Sequence, residues 1–234
     1  MNKYKFKTKP FKHQLTALNS CWDKDVYGLL MEMGTGKTKV LIDNIGILYN
    51  QGVINSALIV APKGVYKTWE QQEFPKHLPN YIMEHTRLVM WQPNLTQKQM
   101  LKMQTIMEST NDLKIFIMNT EAFSTEKGIK YAEKFLLGNR TMFVIDESTT
   151  IKNPQAKRTR NIIKLSNLAK YKRILTGTPV TRSPLDLYSQ FYFLDPDILN
   201  FSSYYSFRSR YAMMVNRTMG SHSFNLIIGY RNLR

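Results

Sequence analysis

Residues 32–38 read Glu-Met-Gly-Thr-Gly-Lys-Thr, and their types and spacing suit the grip of a triphosphate. Gly34 and Gly36, with Thr35 between them, let the backbone turn tightly, so that amide N–H groups converge on an anion. Lys37 carries an ammonium that can reach β- and γ-phosphates, and the Thr38 hydroxyl is a Mg²⁺ ligand. Such a loop needs an acidic partner for the metal and a group that places the attacking water. Thr141–Glu147 reads Thr-Met-Phe-Val-Ile-Asp-Glu and supplies both. Asp146 is the candidate for Mg²⁺, through a water, and Glu147 the candidate for polarising the nucleophilic water. The residues therefore point to ATP and Mg²⁺ as cofactors, with Lys37, Asp146 and Glu147 as the catalytic set. The strict pattern G-x4-G-K-[ST] would require Gly at position 31, where this chain has Met31.

Elements must hold these groups in place. An apolar run, Val26–Met31, precedes the loop and a helical pattern, Val40–Tyr49, follows it, so the loop sits between a strand and a helix whose N-terminus faces the phosphates. The run before Asp146 is short, apolar and rich in strand formers, as in a parallel strand buried on both faces. Carboxylates at its end lie where open α/β sheets bind ligands. Six strand-like runs can be read: Val26–Glu32, Ser56–Ala61, Arg87–Trp91, Lys114–Met118, Thr141–Asp146 and Arg173–Thr176. Helical stretches alternate with them near 13–22, 37–50, 65–77, 96–109, 122–136 and 154–169. This alternation predicts a three-layer α/β/α domain around a mainly parallel sheet. Asn153-Pro154 reads as a helix start, with a capping residue followed by proline. A helical run, 185–193, follows Pro179, and the tail from Asn200 reads as a helical extension.

The same segments, taken in order, resemble the first motor domain of the superfamily 2 helicase-like ATPases, most closely the Swi/Snf-type branch. Phe11-Lys12-His13-Gln14 resembles the adenine-sensing glutamine motif and Glu32–Thr38 the branch's E-M-G-x-G-K-T loop. Ala57–Trp69 resembles L-I-V-x-P…W, and Ile117–Phe123 the motif that ends a strand near the DNA backbone. Asp146–Pro154 resembles D-E-A-H-x-I-K-N, Leu175–Pro179 the L-T-G-T-P motif and Phe193–Pro196 the F-L-D-P segment. Ser148 and Thr149 stand where D-E-A-H carries Ala and His, and the resulting D-E-S-T form is associated with phage-encoded members. The resemblance implies a RecA-like P-loop NTPase fold. It implies that Gln14 reads the adenine edge, with Phe11 or Lys12 nearby. Thr176, Gly177 and Thr178 would relay nucleotide state, and Lys63, Thr120 and Glu121 would lie at the nucleic-acid backbone. It further implies double-stranded DNA as partner and a second RecA-like lobe carrying arginine fingers. On this reading residues 1–199 form the ATP-binding lobe and 200–234 a basic, aromatic-rich extension toward the second lobe. The function implied is that of a DNA-dependent ATPase translocase. A strand-separating repair or branch-migration helicase and a non-catalytic ATP-switched binding module are the alternatives.

Composition agrees with a nucleic-acid partner. Lys and Arg number 33 against 17 Asp and Glu, a net charge of +16, which attracts polyanions in a salt-sensitive way. Local peaks occur at Lys3, Lys5, Lys7, Lys9 and Lys12; at Lys157, Arg158, Arg160 and Lys164; and at Arg208, Arg210, Arg217, Arg231 and Arg234. Aromatics lie among them. A single cysteine, Cys21, forms no internal disulfide and fits a reducing cytoplasm. No apolar run reaches the roughly 20 residues that cross a membrane, so no membrane association is expected.

Overall fold

The computed structural model describes residues 4–94, 96–108, 112–219 and 222–233; Lys3 and Arg234, counted above among the basic peaks, lie outside them. Six strands form one sheet: β1 (Val26–Leu30), β2 (Ser56–Ala61), β3 (Thr86–Met90), β4 (Leu113–Asn119), β5 (Thr141–Asp146) and β6 (Tyr171–Thr176). Their order is β1-β6-β5-β2-β4-β3, and every neighbouring pair is parallel.

Strand composition explains the layering. Ser-Ala-Leu-Ile-Val-Ala of β2 is buried at every position, because successive side chains leave opposite faces and both faces are covered. Ala57, Ile59, Ile115, Ile117, Met142 and Val144 point to one core, shared with Leu18, Leu41, Ile45, Trp69 and Phe74. Leu58, Val60, Phe116, Phe143 and Ile145 point to the other, shared with Phe123, Phe135, Ile162 and Phe193. The first core is covered by α1 (Lys12–Cys21), α2 (Lys37–Asn50) and the short helices α3 (Tyr66–Thr68), α4 (Phe74–His77) and α5 (Asn80–Met83). The second is covered by α6 (Gln97–Glu108), α7 (Glu126–Leu137), α8 (Lys157–Ser166) and α9 (Leu187–Leu194). Among the described residues no helix is long and apolar enough to cross a membrane.

Three local expectations are corrected. The stretch 65–77 is not one α-helix: a π-helical turn, Trp69–Glu73, separates α3 from α4, with the Phe74 N–H donating to the Trp69 carbonyl. Pro75, which has no N–H, enters at the start of α4, and the widened turn absorbs that missing donor. Asn153-Pro154 does not open α8. The Asn153 side chain caps a turn instead, accepting from the Gln155 N–H at 2.9 Å, and the helix begins at Lys157 behind Ala156. The tail is only briefly helical. After α10 (Tyr204–Tyr211) it forms a hairpin of β7 (Ala212–Met219) and β8 (His222–Tyr230). Asn216-Arg217-Thr218 is polar throughout and Phe224-Asn225-Leu226 alternates, and both stretches are exposed, as in a ribbon solvated on its faces. Its base is held by a third core of Leu185, Tyr188, Phe207 and Ala212.

Candidate active site

Parallel pairing sends the carboxyl ends of the strands to one edge, and the predicted site residues follow those ends. Behind β1 the loop turns through Gly34 (φ 77°) and Gly36 (φ 83°), both left-handed, which is the conformation glycine allows without steric cost. The loop is held from α1. Gln14 is 5 % exposed; its Nε2 donates to the Thr35 carbonyl at 3.0 Å and its Oε1 accepts from the Phe11 N–H at 3.0 Å. His13 reaches the same Thr35 carbonyl through Nε2 at 2.9 Å and stacks on Phe11, which stands exposed beside it. A Cβ on Gly36 would lie 2.3 Å from Gln14 Nε2. Gln14 thus fastens the loop itself, a contact the sequence did not show.

Lys37 is nearly buried, and its ammonium donates to the carbonyls of Met31 (3.0 Å) and Glu32 (3.2 Å). Position 31 offers the ammonium its carbonyl, which any residue carries, while the Met31 side chain packs against the first core. Across the cleft, Asp146 ends β5 and Glu147 follows in a left-handed conformation (φ 49°). Asp146 Oδ1 accepts from the Glu147 N–H and Oδ2 from the Trp69 indole, both at 3.0 Å. Burial pushes the Asp146 carboxyl up to about 6; the indole opposes that rise, the neighbouring Glu147 adds to it, and Lys37 opposes it.

Met33, Gly34, Gly36, Lys37, Thr38, Trp69, Glu73, Asp146 and Glu147 share one cleft of about 340 Å³. An ammonium, the Thr38 hydroxyl, a glycine-rich turn at the start of α2 and three carboxylates, those of Glu73, Asp146 and Glu147, converge there. That donor set fits a magnesium–triphosphate: the anion would take the ammonium and amides, and the hard cation would take oxygen ligands from Thr38 and Asp146.

The L-T-G-T-P segment leaves β6 beside this cleft. Thr176 Oγ1 donates to Glu147 Oε2 at 3.5 Å and accepts from the Thr178 N–H at 3.2 Å. A Cβ on Gly177 would stand 3.2 Å from the Met33 nitrogen and 3.4 Å from the Met31 carbonyl. Glycine thus lets the two loops touch.

The residues read as nucleic-acid contacts are less uniform. Lys63 is exposed beyond β2 and Glu121 is exposed beyond β4, where Glu121 accepts from Asn119 Nδ2 at 2.9 Å. Thr120, by contrast, is 2 % exposed and its hydroxyl is buried without a hydrogen-bond partner, so its side chain is not displayed to a phosphate. In the basic peaks, Lys157, Arg160 and Lys164 are exposed on α8, while Arg208 lies over the rings of Tyr204 and Tyr205.

Residues 12–228 match the SNF2-related domain. The chain belongs to the SNF2-related family. Among SNF2 relatives, Helicase SWR1 of Cryptococcus neoformans is 29 % identical over 184 residues, which is 78 % of this chain and 14 % of that protein. Protein CHROMATIN REMODELING 24 of Arabidopsis thaliana is 25 % identical over 199 residues, 83 % of this chain and 18 % of the other. The SWI2/SNF2 ATPase core of Sulfolobus solfataricus in complex with double-stranded DNA aligns with a TM-score of 0.70 at 25 % identity, covering 90 % of this chain and 40 % of that one. The fold is the RecA-like α/β/α domain of an SNF2 ATPase core. The chain spans under a quarter of the length of these curated SNF2 relatives and two-fifths of the solved core.

Proposed function

We propose that this SNF2-related domain is the ATP-binding first lobe of a motor that hydrolyses ATP in response to double-stranded DNA and translocates along it. The observation that carries the reading is the single cleft in which Lys37 and Thr38 face Asp146 and Glu147, with Glu147 joined to Thr176 of the L-T-G-T-P loop. Lys37 and the amides of 34–38 would hold the phosphates, and Gln14 would brace the loop beside the base. Thr38 and Asp146 would hold Mg²⁺, which neutralises charge on the transferring phosphoryl group when bound. Glu147 would orient the water and accept its proton. Thr176, Gly177 and Thr178 would pass nucleotide state toward Lys63, Glu121 and the backbone at Thr120. The solved relative that covers 90 % of this chain is described in complex with double-stranded DNA, and the charge of +16 favours the same class of partner.

On this reading residues 1–199 are the lobe and 200–234 an extension toward a second RecA-like lobe, whose arginine fingers supply the charge that this cleft lacks. An arginine finger contributes about 10³–10⁵ in rate in related chemistry, so this chain alone binds nucleotide and turns it over slowly. The reducing cytoplasm is the compartment proposed, that of a host if the chain is phage-encoded.

Steady-state ATP hydrolysis tests this, measured for the chain without DNA, with single-stranded DNA and with duplex at low salt, alongside equilibrium nucleotide binding. Mg²⁺-dependent ATP binding that Lys37→Ala abolishes, with slow turnover, is the expected result. Absence of nucleotide binding would overturn the site. Fast single-domain turnover that depends on Lys37 would overturn the need for a second lobe.

A further inference from the structure

Ser148 occupies the turn directly after Glu147 and is fully buried, as is Gln190 on α9. Ser148 Oγ donates to Gln190 Oε1 at 2.5 Å. The other end of that carboxamide donates twice, to the carbonyls of Pro179 (2.7 Å) and Asp186 (2.8 Å). Two carbonyl acceptors leave the amide one orientation: its nitrogen must face them and its oxygen must face Ser148. Pro179 is the last residue of the L-T-G-T-P segment, and Thr178 and Thr176 lead back to Glu147. The result is a closed ring: Glu147, Thr176, Thr178, Pro179, Gln190, Ser148 and, by the peptide bond, Glu147 again. Thr149 has no side-chain hydrogen bond in this ring.

We propose that the buried Ser148–Gln190 pair is the positioning device that couples the carboxylate turn to the 176–186 loop in this chain, resting on the ATP-site reading above. The physical argument is one of alternatives. A displacement of Glu147 with the nucleotide moves Ser148 by the peptide bond. Ser148 cannot leave Gln190 without stranding a buried hydroxyl and carbonyl, an expensive outcome away from water. Gln190 in turn holds the Pro179 carbonyl. The 181–186 end of the loop is already rigid, because Asp186 Oδ2 accepts from the Thr181 and Arg182 amides and the Thr181 hydroxyl. Lys152 also bonds Thr181 and pairs with Asp186. Thr176 is the buried end of β6, so the stretch left outside these contacts is 177–180, where motion at Glu147 would be delivered.

Hydrogen exchange of the chain with and without Mg²⁺ and a non-hydrolysable ATP analogue tests the pair, in wild type, Ser148→Ala, Gln190→Leu and the double variant. Fluorescent-nucleotide binding and thermal melts accompany each. In wild type the analogue should slow exchange across 175–183 by fivefold or more. In Ser148→Ala that protection should fall below twofold while nucleotide affinity stays within about threefold, and the double variant should match the single ones. Retained protection in Ser148→Ala and Gln190→Leu, or no protection at 175–183 in nucleotide-bound wild type, overturns the coupling. Ser148→Ala removes a single oxygen, so a melt near wild type keeps the test valid even if Gln190→Leu is unstable. If wild type binds no nucleotide at all, the ATP-site reading fails and takes the coupling with it.

Discussion

The Trp69 indole N–H donates to Asp146 Oδ2 at 3.0 Å, from a residue 77 positions earlier in the chain. Trp69 is 2 % exposed, packed on Phe74 and seated at the start of the π-helical turn. One carboxylate oxygen is thereby held by the indole and the other by the Glu147 amide, so the group proposed for Mg²⁺ has little rotational freedom.

Trp69→Phe keeps a ring in that place and removes the proton donor. Loss of a hydrogen bond to the charged form disfavours it, so Asp146 should ionise at higher pH. The acid limb of the pH–rate profile is expected to move up by about 0.5–1 pH unit, with a higher Mg²⁺ requirement, measured on the complete motor. An unmoved limb would show that the indole does not tune this carboxylate.

Asp146 also ties stability to pH. Its folded-state value of about 6 lies above the ordinary 3.8, so the folded protein holds a proton that the unfolded chain has released between those values. Stability should therefore fall as pH rises from about 4 to about 6, the cost being complete above that. Asp146→Asn removes the charge and should stabilise by on the order of 2–3 kcal/mol at pH 8 in the absence of Mg²⁺, with no gain at pH 4. Denaturant melts at the two values check the sign; an equal effect at both would exclude ionisation as the cause.

Gly36 and Gly34 should respond unequally to alanine. Both have positive φ, but only at Gly36 does an added Cβ meet a neighbour, Gln14 Nε2 at 2.3 Å; at Gly34 it meets nothing within 4 Å. Backbone strain alone costs on the order of 1 kcal/mol. Gly36→Ala should weaken nucleotide binding by tenfold or more and Gly34→Ala by less, as read by fluorescent-nucleotide titration. Gln14→Ala alone should also weaken binding, and combined with Gly36→Ala it should add less than its separate effect.

Arg173 lies fully buried in β6. It donates to Asn44 Oδ1 and to the carbonyls of Asp25, Lys172, Cys21 and Lys24. Burial brings its pKa down to about 10, so it remains charged at neutral pH. Arg173→Met would strand those acceptors and should destabilise by about 3 kcal/mol or more, a fall in Tm of roughly 6–12 °C for a domain of this size. A melt within a degree or two of wild type would show that water replaces the guanidinium at little cost.

The parts of the site that were legible in the sequence are those carried by chain neighbours. A glycine turn followed by Lys37-Thr38 and a strand ending in Asp146-Glu147 are local patterns, and the apolar runs around them mark the strands. The roles of Gln14 and Trp69 were not legible as geometry. A glutamine on a helix and a tryptophan in an amphipathic stretch read as surface and core until their partners, on other segments, are known. The burial of the Thr120 side chain was not legible for the same reason, since a loop position after a strand gives no measure of burial.

Sequence alone determined that six strands alternate with helices, that both faces of the sheet are covered, and which residue types lie at the strand ends. Those follow from side-chain periodicity and turn chemistry, which act over a few residues. Only the tertiary structure decided that β6 and β5 lie between β1 and β2, and with that order everything that crosses between strands. The clamp of Gln14 on Thr35, the indole on Asp146, the ring through Ser148 and Gln190 and the carbonyl cage of Arg173 all belong to it. Each depends on contacts between segments far apart in the chain, where strand order and register select the partner and no local pattern encodes it.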